Sequence, residues 1–278
     1  MTGTDILMIT YNRPEYVRIS LPALLDTCGP DDRVWVWHNG TDAETLAAVG
    51  ESRDRLHRFH HNVDNAGLRE PTNWLWREST GDYVSKVDDD CVEDPRWLGI
   101  LRTAHEQVAE FGVIGAWRFP EEDTDPELMA PKLADYPHGH RLLRNHWVQG
   151  SGYLAKRAVV EQVGPIADAE SFTTWCLRAA RAGWINGWYH PFVREDHMDD
   201  PRSPNTIYRT DADLMARRPL SARNTGVTTV AEWTDHMRHS ARLVQSASLD
   251  LRQYEGWRLR RRTAVRRIRL ALTGKAPW

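Results

Sequence analysis

The sequence predicts an α/β protein with a mostly parallel central sheet and a helical C-terminal extension. Three observations carry this. The first ninety residues alternate short apolar runs with helix-like segments, the pattern of βαβ units. Polar clusters follow three of the runs directly, at residues 10–13, 38–42 and 88–90. After Pro201 the chain becomes polar and helical in character.

The elements follow in order. DILMITY, residues 5–11, is rich enough in apolar side chains for a buried strand. Pro14 opens a helix running to Leu25, because its missing N–H costs nothing in a first turn. Pro22 is a candidate kink. RVWVWH, residues 33–38, is a second strand, and HNGTD is a turn in which Thr41 or Asp42 caps the next helix. Residues 56–61 form a third, weaker strand. Asn65-Ala66-Gly67 turns into a helix carrying Trp74, Leu75 and Trp76, and YVSKV at 83–87 is a fourth strand. Residues 113–117 read as another strand. The Pro-, Asp- and Glu-rich stretch 119–144 reads as a long loop, of the kind that is functional or mobile inside a compact domain. VQGSGYL at 148–154 leads to a helix from Lys156. Residues 172–182 form a helix stopped by Gly183, and 184–193 are strand-like.

Composition narrows the function classes. The 278 residues are 41% hydrophobic and 27% charged, as in ordinary globular proteins. Net charge is −3, so the whole molecule is no general polyanion binder. No apolar run approaches the ~20 residues of a membrane span. The N-terminus lacks a basic start, and Asn12, Arg13 and Pro14 break its apolar stretch, unlike a signal peptide. The cytoplasm is therefore the expected location. Cys28, Cys91 and Cys176 are odd in number and have no C-x-x-C spacing, which argues against a disulfide framework or a zinc knot. Lysine occurs only at 86, 132, 156 and 275, a bias toward Arg that reflects a GC-rich genome.

The chemistry concentrates at Asp88-Asp89-Asp90, directly after the fourth strand. Three adjacent carboxylates repel one another, and a solvated acidic turn is the bland alternative. A divalent cation resolves the repulsion, since Mg²⁺ or Mn²⁺ takes hard oxygen ligands from one or two carboxylates plus substrate phosphates. Ligands of open α/β sheets bind beyond the carboxyl ends of the strands. The three polar clusters are therefore expected to converge on one crevice.

The ordered series ILMITYNRPEYV, VWVWHNGTDAET, NAGLREPTNWLWREST, GDYVSKVDDDCVEDPRWL, WVQGSGYLAKRAVVEQVG and CLRAARAGW resembles the GT-A glycosyltransferases, especially glycosyltransferase family 2, over about residues 5–200. The resemblance implies the GT-A fold. A Rossmann-like nucleotide-sugar half would span about 1–95, an acceptor half 96–200, and a helical extension 201–278. It implies transfer of a sugar from a nucleotide sugar, UDP-sugar favoured, to an unknown acceptor hydroxyl, with Mn²⁺ or Mg²⁺ as cofactor. Thr10, Tyr11, Asn12 and Arg13 would border the base, joined by His38 and Asn39. Gly67 and Arg69 would lie near the pyrophosphate. Asp88 would face the ribose or metal beside Asp89, and Asp90 would bind the metal. Gly150, Ser151 and Gly152 would line the acceptor side.

Two departures from the family pattern matter. His38 stands where the family usually has the Asp that recognises uracil. Ser171-Phe172 stands where inverting members carry an acidic pair, so Glu170 and Asp168 are the nearest candidates for a general base. A retaining mechanism with the same metal site is the alternative. GT-A enzymes often place a metal-binding His after the last core strand, and His197, within Glu195-Asp196-His197-Met198-Asp199-Asp200, fits that place. Trp117 and Trp147 flank the long loop and are candidates for stacking on a sugar or acceptor, against the plainer reading of core indoles.

Over residues 257–272 helical spacing puts Trp257, Ala264, Val265, Ile268, Ala271 and Leu272 on one face. Arg258, Arg262, Arg266 and Arg269 take the opposite side. Such a helix contacts an anionic surface or polyanion, peripherally at a membrane for instance, or packs on its own domain. Two rivals of other kinds fit less well. A nucleotidyltransferase would want a Gly-rich, Lys-containing loop after the first strand, where T-Y-N-R-P-E stands. A nucleic-acid-binding protein using the Arg tail has no need of three carboxylates that repel phosphate.

Overall fold

The computed structural model describes residues 3–256 together with 264 and 265. Along the chain run β1 (Thr4–Thr10), α1 (Pro14–Asp26), β2 (Arg33–Asn39), α2 (Ala43–Gly50), β3 (Arg58–Asn62), α3 (Arg69–Glu78), β4 (Tyr83–Asp88), β5 (Cys91–Glu93), α4 (Trp97–Gln107) and β6 (Phe111–Gly115). Then come α5 (Pro126–Met129), β7 (Leu133–Asp135), β8 (Arg141–Asn145), β9 (Tyr153–Lys156), α6 (Arg157–Val163), α7 (Phe172–Arg181), β10 (Ile185–Tyr189) and β11 (Glu195–His197). Helices α8 (Asp211–Arg217), α9 (Leu220–Thr225) and α10 (Val230–Gln245) follow. The described residues divide into two compact units: 3–118 with 133–195, and 119–132 with those from 196 onward.

The first unit is built on a nine-stranded sheet in the order β3-β2-β1-β4-β9-β6-β10-β8-β7. β1 pairs in parallel with β2 and β4, and β2 with β3. This half is the expected βαβ array. All seven residues of β1 are buried, as a strand covered on both faces requires. Pro14 does occupy the first turn of α1, Pro22 lies inside that helix, and Asp42 caps α2 by accepting from the Thr45 amide. β6 and β10 are parallel, whereas β9 runs antiparallel between β4 and β6. Ile6, Met8, Val34, Val36, Val87, Leu101, Ile114 and Leu154 belong to the buried core.

His105 on α4 is part of that interior, 1% exposed, with Nε2 2.9 Å from the Leu154 carbonyl. Burial holds its imidazole down at about 3, against about 6.5 in an unfolded chain. The unfolded state therefore binds the extra proton between those values. The stabilisation is complete above about pH 6.5 and is lost as pH falls toward 3, by about 1.4 kcal/mol per unit. Urea unfolding at a series of pH values should show this acid limb, and His105→Gln should flatten it. An unchanged slope in the variant would assign the acid sensitivity elsewhere.

The stretch 119–144 is not one long loop. Residues 119–132, with α5, belong to the second unit, and residues 133–145 supply β7 and β8 at the edge of the large sheet. Runs as short as LAD and RLLRN carry too little periodicity to be read as strands.

The second unit has its own core of Tyr208, Leu214, Ala222, Val227, Trp233 and Met237. Its helices carry local stop and start signals. Thr210 and Asp213 form a capping box on α8, Gly226 ends α9 in the left-handed conformation, and Thr229 caps α10. Arg202 ties the two segments of this unit together through Asp123 (2.7 Å) and Asp200 (2.7 Å). Of the basic amphipathic tail only Ala264 and Val265 are among the described residues; Arg258, Arg262, Arg266 and Arg269 lie outside them. No helix among the described residues is long and apolar enough to cross a membrane.

Candidate functional site

The register of the parallel strands brings the polar clusters side by side. Ile9 lies opposite Asp88 and Thr10 opposite His38, so the segments that follow β1, β2 and β4 leave the sheet at one edge. Beyond β1 and β2, Tyr11, Asn12, Gly40, Thr41, Asp42, Val63, Asp64 and Asn65 line a cleft of about 440 Å³. Tyr11 stands 43% exposed at its wall. Gly40 has φ +98°, and a side chain there would press on the Tyr11 ring at 3.3 Å.

His38 does not open into solvent. It is fully buried, its Nδ1 lies 2.9 Å from Thr10 Oγ1, and burial followed by His61 lowers its pKa. It is a neutral ring at physiological pH. Asn39 orders the next turn, donating to the Gly67 carbonyl (3.0 Å) and accepting from the Ala66 amide (3.1 Å). Gly67 also donates to Asn65 Oδ1 (2.9 Å), which shapes the entry to α3.

The carboxylate triplet ends β4. Each acid has a different partner. Asp88 pairs with Lys86 Nζ, and its amide donates to Ser151 Oγ at 3.0 Å. Asp89 is buried and accepts from the Tyr11 amide at 3.0 Å; burial, opposed by Arg13, pushes its carboxyl up to about 8. Asp90 Oδ2 lies 3.0 Å from Arg13 Nη1. Asp88 and Asp90 keep 34% and 13% of their side chains exposed, so Asp88 is the most open member of the triplet.

Lys86 joins the site as a residue the motifs do not announce. It is one of only four lysines, and period-two alternation puts it on the face of Asp88; that was the available signal. A second unforeseen feature lies behind the triplet. Glu93 and Glu195 are 5% and 3% exposed, and burial with mutual repulsion raises the pKa of Glu93 well above the carboxylate range. The raised pKa of Glu195 has the same first cause. The two acids face each other beneath Gly152. Cys91 donates to Glu195 Oε1 at 3.3 Å. Gly152, with φ +60°, passes directly over this pair.

Ser151 and Gly152 are buried and Gly150 is half-buried, close to Lys86. Trp117 is fully buried, with one face stacked on Phe192 at 4.2 Å and an edge contact to Trp188. Trp147 is half-buried and packs edge-on against Trp188. Both indoles meet within the fold around Trp188.

The acids considered for the base role differ sharply. Glu170 is clamped: Arg178 donates to both of its oxygens at 2.9 Å, and the Ala167 amide adds a bond at 2.8 Å. Asp168 is 98% exposed and pairs with Arg69 Nη1 at 2.6 Å. Arg69, at the start of α3, thus links the turn after Gly67 to the loop before α7. His197 is the last residue of β11 and falls in the second unit.

A polar cleft, a carboxylate triplet at a strand end and a mixed nine-stranded sheet together match the GT-A arrangement. The family model described as Glycosyl transferase family 2 matches residues 5–160. The chain belongs to glycosyl transferase family 2 and is a glycosyltransferase. Among solved structures it is similar to the mannosyltransferase PcManGT from Pyrobaculum calidifontis in complex with GDP-Man and Mn²⁺. The TM-score there is 0.58 and the identity 14%, over 96% of this chain and 80% of that one. It is also similar to S. aureus TarS 1-349 in complex with UDP-GlcNAc, at TM-score 0.59 and 14% identity, over 98% of this chain and 76% of that one. No curated protein matches in sequence.

Proposed function

We propose that this glycosyltransferase binds a nucleoside diphosphate sugar across the cleft and the triplet, with UDP-sugar favoured on the family pattern, and transfers the sugar to an acceptor hydroxyl. The observation that carries the reading is the carboxylate triplet at the end of β4, beside the cleft beyond β1 and β2. The donor set suits Mn²⁺ or Mg²⁺, since Asp88 and Asp90 offer hard oxygens and remain partly exposed. A bound divalent ion would supply Lewis-acid neutralisation of the departing diphosphate. His197 is proposed as a further ligand from its sequence position after the last core strand.

The chain's own residues do the remaining work in this proposal. Tyr11 offers a ring face to the base, and Asn39 fixes the turn that admits the pyrophosphate near Gly67. Arg69 reaches toward negative charge from the N-terminus of α3. Ser151 holds the Asp88 backbone from the acceptor side. Asp168 takes the acceptor proton, giving inversion at the anomeric carbon. A second reading, retention with no protein base, is favoured by the Glu170 clamp, which leaves that acid engaged with Arg178.

Paired substitutions separate these roles. Asp168→Asn should lower kcat about a hundredfold with an unchanged melting temperature. Glu170→Gln should instead cost about 1–3 kcal/mol of stability, because it breaks a charged clamp on Arg178. NMR of the product anomer completes the test. An unaltered kcat in Asp168→Asn together with a retained anomeric configuration would overturn the inverting reading.

A further inference from the structure

The chain supplies each acid of the triplet with its own partner. Lys86 covers Asp88, the Tyr11 amide covers Asp89, and Arg13 covers Asp90. Two of these are fixed in place. Lys86 projects from the interior of β4 with 4% of its side chain exposed, and the Tyr11 amide is backbone. Arg13 differs. It sits at the N-terminal boundary of α1, before Pro14, with a long side chain 21% exposed and its guanidinium 5.6 Å from the Tyr16 ring centre. Guanidinium and divalent cation would compete for Asp90 Oδ2, and two cations held on one carboxylate repel each other.

We infer that Arg13 is an internal stand-in for the metal: it holds Asp90 in the metal-free protein and leaves it when metal and nucleoside diphosphate arrive together. This rests on the metal-dependent reading above. The physical reason for joint arrival is charge. Metal alone must displace Arg13 and strand it beside a second cation. A diphosphate brought with the metal gives the released guanidinium an anionic partner of fitting geometry. Arg13 is thus a positioning residue that couples metal binding to donor binding. By linkage, the coupling works equally in both directions.

The test measures Mn²⁺ binding by electron paramagnetic resonance of the free ion, with no turnover involved. Wild type, Arg13→Gln and Arg13→Lys are titrated with Mn²⁺ alone, then with Mn²⁺ in saturating UDP or GDP. Arg13→Met, which keeps the stem on Tyr16, replaces Arg13→Gln if the latter melts early. Arg13→Gln should bind Mn²⁺ alone about fivefold more tightly than wild type, the scale of one weak competing ion pair. Its gain in Mn²⁺ affinity from nucleotide should shrink by at least that factor. Arg13→Lys, which keeps the charge, should stay near wild type. A merely structural role would loosen metal binding, so equal or weaker binding by a folded Arg13→Gln overturns the inference while leaving the metal site standing. Absence of Mn²⁺ binding in wild type, with either nucleotide present, would overturn the metal reading and this inference with it.

Discussion

Asp90→Asn should reduce sugar transfer at least about a thousandfold while leaving the fold intact. The substitution keeps the shape of the side chain and removes one negative charge, the property a divalent cation needs. Charge stabilisation of a leaving diphosphate is worth several kcal/mol, and each 1.4 kcal/mol is a factor of ten in rate. The structural cost is small by comparison. Asp90 pairs with Arg13 Nη1 at 3.0 Å in a mostly buried contact, and Asn keeps an oxygen that accepts from the same guanidinium, so about 1–2 kcal/mol is lost. Melting temperature by circular dichroism and transfer by release of nucleoside diphosphate should therefore separate cleanly. Asp89→Asn makes the contrast. Asp89 is buried against the Tyr11 amide, so its loss should lower stability as well as rate. Near wild-type transfer by Asp90→Asn would remove the triplet from the chemistry.

Gly152→Ala is the second large effect, and it acts on stability. A Cβ at this position would collide with Glu195 Oε2 and stand 2.7 Å from Glu93 Oε1, at a φ of +60° that L-residues rarely adopt. Both acids are nearly fully buried, so neither can swing into solvent without opening the core beside Cys91. Left-handed strain costs about 1–3 kcal/mol and overpacking a similar amount. A loss of about 10 °C in melting temperature is expected for a chain of this size. Gly67→Ala is the control. Its φ is also positive, at +71°, but nothing lies within 4 Å of a Cβ there. It should pay the backbone term alone, about 1 kcal/mol. Equal effects at the two sites would show that the acid pair yields easily and that only backbone conformation matters.

The parallel half of the sheet was legible because each strand there is a continuous apolar run bounded by a turn or cap. Ile6 to Ile9 are apolar without a break, Val34 to Trp37 likewise, and both runs are buried. Pro14 and Asp42 mark helix starts by chemistry that does not depend on tertiary context. The antiparallel half was harder. β7 and β8 are only three and five residues long, and Arg141 and Arg144 interrupt the apolar pattern. The assignment of residues 119–132 to a second unit was invisible, because it depends on long-range partners such as Arg202 to Asp123 and Lys132 Nζ to the Val244 carbonyl (2.8 Å).

The site was legible where side-chain type and strand position coincide, as at Asp88, Asp89 and Asp90. Partners were not legible. Nothing in the spacing of Glu170 and Arg178 announces a two-oxygen clamp across eight residues. Nothing in the sequence pairs Glu93 with Glu195, since that meeting is made by the fold around Gly152. Lys86 lay within reach of pattern reasoning, because a lysine on the interior face of a strand must find a counter-charge.

In the proposed mechanism, nucleoside diphosphate binding depends on a divalent cation held by the triplet. Calorimetric titration of UDP and GDP into the full chain, once in Mn²⁺ and once in excess EDTA, tests it most directly. At least one of the two nucleotides should bind in Mn²⁺, at least about a hundredfold more weakly in EDTA, and equally weakly to Asp90→Asn whether metal is present or not. Binding that is as tight in EDTA as in Mn²⁺, and unaltered in Asp90→Asn, would contradict it.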